Sequence, residues 1–102
     1  MLTLRPNCEC CDSDLPPESS EAMICTYECT FCRTCVDEIL ANVCLNCGGG
    51  FQPRPIRPRT ARRTGVSLAH QPASSERVHM RYSVEEARAF TAPVKDIPPR
   101  DR

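Results

Sequence analysis

Cys29-Thr30-Phe31-Cys32-Arg33-Thr34-Cys35-Val36 places three cysteines at intervals of three residues, in the middle of a run of nine. Read outward, the series is Cys8-x2-Cys11-x13-Cys25-x3-Cys29-x2-Cys32-x2-Cys35-x8-Cys44-x2-Cys47, with Cys10 left over. A Cys-x2-Cys pair turns tightly enough for both sulfurs to reach one tetrahedral ion at about 2.3 Å. Eight such ligands make two four-sulfur sites. The central three cysteines also have the spacing of part of an iron–sulfur motif, but Ile39 stands where the fourth cysteine would. Zinc, two ions per chain, is the expected cofactor.

The rest of the chain shows why an ion is needed. All nine cysteines of the 102 residues lie between Cys8 and Cys47. The other apolar residues there are few, chiefly Leu15, Met23, Ile24, Phe31, Val36, Ile39, Leu40, Val43 and Leu45. So short a segment cannot bury enough surface to offset its chain entropy, and requires disulfides or metal. An odd number of cysteines fits a closed disulfide framework poorly, whereas pairs two residues apart suit chelation. Met1-Leu2-Thr3-Leu4-Arg5-Pro6 is not the start of a secretory signal, so a reducing cytoplasm is the expected compartment. No apolar run approaches ~18 residues, so no membrane span is expected.

A formal net charge of zero hides a division. Residues 1–52 hold two basic side chains against eight acidic, a balance of −6; residues 53–102 hold eleven against five, a balance of +6. Two four-thiolate zinc sites, each formally −2, would take the head to about −10. The expected boundary follows Gly48-Gly49-Gly50, giving a zinc module at 1–52 and a Pro/Arg-rich tail at 53–102. Alternating prolines from Pro53 to Pro58 oppose both helix and sheet, and the tail is expected to be mostly disordered. Ser83 with Glu86 reads as a capping box opening one short helix at 83–91, with Tyr82 and Ala87 placed for a hydrophobic staple.

In the head, Glu21 to Tyr27 has strand character, and Val36, Ile39, Leu40 and Val43 follow the spacing of one helix face, with Thr34 as N-cap. The expected class is small metal-stabilised α+β, with a short hairpin and one helix.

Ligand order, Phe31 just before the fifth ligand, and Val36 just after the sixth with Ile39-Leu40 beyond, together resemble the RING family. That resemblance implies a treble-clef type, cross-braced module: one zinc on Cys8, Cys11, Cys32 and Cys35, the other on Cys25, Cys29, Cys44 and Cys47. Spacing alone leaves a sequential pairing open. The head is also similar to a small bacterial family of cysteine-rich proteins known only as a domain of unknown function, a likeness that brings no activity.

Ubiquitin ligases of the RING type carry an aliphatic residue after the first ligand, proline after the seventh and often a base after the eighth. Glu9, Leu45 and Gly48 stand at those positions here, so ligase chemistry is disfavoured. No Ser/His/Asp set, phosphate loop or placed carboxylate pair marks an enzyme, and no small-molecule substrate is indicated. The expected role is a structural zinc protein that binds another protein. The alternative is nucleic-acid contact through Arg54, Arg57, Arg59, Arg62 and Arg63, which have no acid among them. Cys10 is read as a spare thiol, and His70 and His79 as solvated.

Overall fold

The computed structural model describes residues 1–102. Its elements are strand β1 (Ala22–Ile24), strand β2 (Thr30–Cys32), helix α1 (Arg33–Glu38), strand β3 (Gln52–Pro53) and helix α2 (Val84–Thr91), followed by a short 3-10 turn at Pro99–Asp101. The class is small α+β. The expected hairpin is present as β1 and β2, antiparallel, with Met23 opposite Phe31. It is one strand wider than expected, because β3 adds to the free edge of β1 with Met23 opposite Pro53. Pro53 fits there because β3 is an edge strand and needs no donor on its outer side. The ladder continues as Arg54 N–H donates to the Ala22 carbonyl at 2.9 Å, so the sheet runs past residue 52.

The helix read from Val36, Ile39, Leu40 and Val43 is shorter than its pattern. Helix α1 ends at Glu38, and Ala41 and Asn42 take φ values of 50° and 59°, which an L-residue helix does not admit. Leu40 and Val43 still reach the core, fully buried, through this left-handed turn. The N-cap is Cys32 rather than Thr34: its sulfur accepts the Cys35 N–H.

Fourteen buried residues form one core cluster, five of them cysteines. The apolar part centres on Phe31 and Phe51, whose rings meet edge to face at 5.4 Å and 76°, a geometry worth about 0.5–1.5 kcal/mol beyond burial. With so few hydrocarbon side chains, the cysteines have to hold the core as well as line it.

Residues 53–102 make hydrogen bonds to the head along much of their length. Side-chain hydrogen bonds to backbone hold a segment that has little apolar surface to bury. Buried Arg54 donates to the Arg5, Leu15 and Pro16 carbonyls at 2.9, 3.2 and 3.0 Å. Segment 74–80 runs alongside residues 4–9 in the same direction, with Ser74 N–H on the Leu4 carbonyl and Met80 N–H on the Glu9 carbonyl. In α2 the Ser83–Glu86 capping box is formed in both directions, and Ala87 is buried. Tyr82, the other residue placed for the staple, is 44 % exposed. The last turn closes over Gly50, where a Cβ would come within 3.0 Å of Pro99. No helix is long and apolar enough to cross a membrane.

Candidate metal centres

The backbone builds the knuckles first. Two of them share one design: Asp12 N–H donates to the Cys8 carbonyl at 2.9 Å, and Gly48 N–H donates to the Cys44 carbonyl at 2.7 Å. The turning residue is left-handed in both, with φ of 64° at Asp12 and 76° at Gly48. A third turn uses Glu28, also at φ 64°, just before Cys29. The remaining pair needs no such turn, because Cys32 and Cys35 open α1.

These turns aim backbone donors at sulfur. Cys11 N–H points to Cys8 Sγ at 3.5 Å, Tyr27 N–H to Cys25 Sγ at 3.3 Å, Cys35 N–H to Cys32 Sγ at 3.4 Å, Asn46 N–H to Cys44 Sγ at 3.4 Å and Gly49 N–H to Cys47 Sγ at 3.4 Å. Donors directed at sulfur favour the charged thiolate, the form that binds metal.

Two groups of thiols result. The sulfurs of Cys8, Cys11, Cys32 and Cys35 all lie within 4.8 Å of one another, and so do those of Cys25, Cys44 and Cys47. Four sulfurs about 2.3 Å from one ion stand about 3.8 Å apart, and Cys11 Sγ is 3.7 Å from Cys32 Sγ. The chain therefore has two cysteine clusters, each able to hold a metal ion, and no cysteine is in a disulfide. The grouping is interleaved: the first and third pairs meet, and the fourth pair joins Cys25.

Cys29 lies outside this second group of sulfurs, although Cys44 and Cys25 are close enough to shift its thiol. Asn46 Nδ2 donates to it at 3.1 Å, and the Arg5 guanidinium lies beside it. Its thiol is lowered to about 5, first by the bond from Cys44, with Asn46, Cys25 and Arg5 acting against burial. At Cys11 burial is the largest influence and opposes ionisation, but bonds involving Ser13, Cys8 and Cys35 outweigh it and lower the thiol to about 6. Burial pushes Cys35 up, and Cys44 rises chiefly through its bond to Cys29. One lowered thiol thus lies in the first cluster, Cys11, and one beside the second, Cys29, and an ion entering either site would displace protons from the other thiols.

Cys10 belongs to neither cluster; it is half-buried against the core, and burial raises its thiol. The histidines are hydrogen-bonded away from the sulfurs, His70 to Ser67 and His79 to Asp12. Of the five arginines, Arg54 and Arg57 are spent on backbone carbonyls of the chain itself.

The supporting residues were not evident from the cysteine pattern. Glu9, only 4 % exposed, takes the Arg5 guanidinium at 2.6 Å and the Thr30 N–H, tying the first knuckle to β2. Asn7, fully buried, binds the tail. One signal was available: Arg5 is one of only two bases in an otherwise acidic head.

The architecture defines a cysteine-rich chain with two paired thiol clusters suited to metal. This chain belongs to the family described as "Protein of unknown function (DUF1272)", whose model matches residues 1–57. An uncharacterized protein of Rhizobium meliloti is 55% identical over 78 residues, covering 76% of this chain and 86% of that protein. Since the family match ends at residue 57, at least 21 of those 78 aligned residues lie beyond it. No solved structure matches the chain.

Proposed function

We propose that this protein is a non-catalytic, RING-like zinc module that holds two zinc ions and presents a surface to another protein. The observation that carries the reading is the pair of interleaved thiol clusters, all of whose cysteines are free. Cys29 completes the second set, drawn in by the ion from its contact with Cys44 and Cys25. Four thiolates fill a tetrahedral shell and leave no position for water or substrate, so the zinc is structural. A ligase role is further disfavoured because Glu9, where such enzymes place an exposed aliphatic contact, is buried in an ion pair.

The partner surface in this reading is the groove where α2 faces the last knuckle. Leu45, between Cys44 and Cys47, forms it with Tyr82, Glu86 and Phe90 around a cavity of about 210 Å³. Phe90 is 46 % exposed and Tyr82 44 %, so two large apolar rings line the groove within reach of solvent. A protein segment with an aliphatic anchor suits such a groove.

Elemental analysis should give two zincs per chain, and a chelator should collapse the amide dispersion of residues 8–47, since binding energy here is folding energy. One zinc, or a native spectrum without metal, overturns the two-site reading. Phe90→Ser should abolish partner capture in a pull-down while leaving zinc content unchanged; undiminished capture overturns the groove.

A further inference from the structure

Between Glu38 and Glu76 the chain has no acidic residue, and part of that stretch is a closed loop. Leu68 N–H donates to the Pro58 carbonyl at 2.9 Å and joins the loop's ends; inside it Val66 N–H donates to the Arg63 carbonyl at 3.1 Å. Gly65 supplies the left-handed turn, at φ 78°. Gln71 holds the loop from beneath, donating from Nε2 to the Gly65 carbonyl at 2.7 Å and accepting the Ser67 N–H at 3.3 Å. Arg57 fixes the base to the head by donating to the Leu2 and Gln71 carbonyls at 2.6 and 2.7 Å.

The loop encloses almost nothing apolar: Val66, its one large hydrophobic residue before Leu68, is 45 % exposed. Its hydrogen bonds shape a surface rather than a core. That surface carries Arg59, Arg62 and Arg63, all exposed. None of the three is in an ion pair, and none donates a side-chain hydrogen bond to the chain as Arg54 and Arg57 do.

We propose that the 58–68 loop binds the phosphodiester backbone of nucleic acid through Arg59, Arg62 and Arg63. Planar guanidinium groups match phosphate oxygens two at a time, and a loop already in shape loses little entropy on binding. No aromatic ring lies in the loop to stack on bases, so the contact is to backbone and indifferent to sequence. This binding is additional to the zinc module and does not depend on what the Leu45 groove takes.

The test is fluorescence anisotropy of the full chain with a labelled duplex, and separately a single strand, of about 20 nucleotides, between roughly 50 and 200 mM salt. Three neutralised phosphates should weaken duplex affinity roughly 40-fold over that range and single-strand affinity roughly 20-fold. Replacing Arg59, Arg62 and Arg63 together with Gln should remove the binding, while replacing them with Lys should keep the salt slope and weaken the binding. The exposed side chains anchor nothing, so the melting temperature of both variants should match the parent. Equal affinity in the Gln variant overturns the proposal. So does a parent chain that binds polyglutamate but neither nucleic acid, which would make the partner an acidic protein.

Discussion

The Asn7 side chain and the Val78 backbone, 71 positions apart, exchange two hydrogen bonds: Nδ2 donates to the Val78 carbonyl at 2.8 Å, and Oδ1 accepts the Val78 N–H at 3.2 Å. A side-chain amide here does the work of a neighbouring strand. It stands one residue before the first cysteine of the first cluster, so tail and knuckle share one buried anchor.

Asn7→Ala should therefore cost about 2 kcal/mol, since two hydrogen bonds of roughly 1 kcal/mol each are lost. In a chain of this size that is a fall of roughly 10 °C in Tm, readable by circular dichroism. Amide exchange at Val78 and Met80 should accelerate most. An unchanged Tm would mean that the tail contributes nothing to stability.

Truncation after Gln52 should destabilise the head strongly, although the composition of the tail points the other way. The cut removes Pro53 from β3 and the buried Arg54, whose guanidinium serves three carbonyls. Arg54→Ala alone should cost roughly 3 kcal/mol, the range for charged donors on buried acceptors. Denaturant melts of the two forms check both statements.

Glu9→Leu should destabilise more than Glu9→Gln. Gln can still accept the Thr30 N–H and loses only the charge opposite Arg5, whereas Leu leaves the donor orphaned. Because Arg5 is 25 % exposed and can turn to water, a cost of about 2 kcal/mol for Leu is expected, below that of a fully buried pair. Urea midpoints of the two variants give the order.

Cadmium–cysteine NMR couplings should connect Cys8 with Cys32 through one ion and Cys25 with Cys44 through another. Cys8→Ala and Cys32→Ala should disturb the same cadmium resonance. Coupling of Cys29 to the metal of Cys8 would return the chain to a sequential arrangement. Cys10→Ala should alter neither resonance.

The cysteine spacing made the clusters legible because knuckle geometry is local: the three turns and the start of α1 each depend on residues within five positions. The helix was less legible. Val36, Leu40 and Val43 are all core residues, yet their spacing suits a helix and a left-handed turn equally, and nothing local marks Ala41 as the breaker. The tail was least legible because composition measures apolar burial, whereas Arg54, Arg57, Arg77 and Asn7 hold it through hydrogen bonds to distant groups. Arg77 forks onto Asp12 and Asp14 across more than sixty residues, a pairing that local sequence does not reveal.

The two thiol clusters enclose overlapping spans of chain, one from Cys8 to Cys35 and the other from Cys25 to Cys47. Whichever ion binds first fixes part of the shared span and shortens the flexible loop that the second must close. Loop-closure entropy falls with that length. Uptake should then be cooperative: in a titration with less than one equivalent of metal, chains carrying one ion should be scarce beside chains carrying none or two.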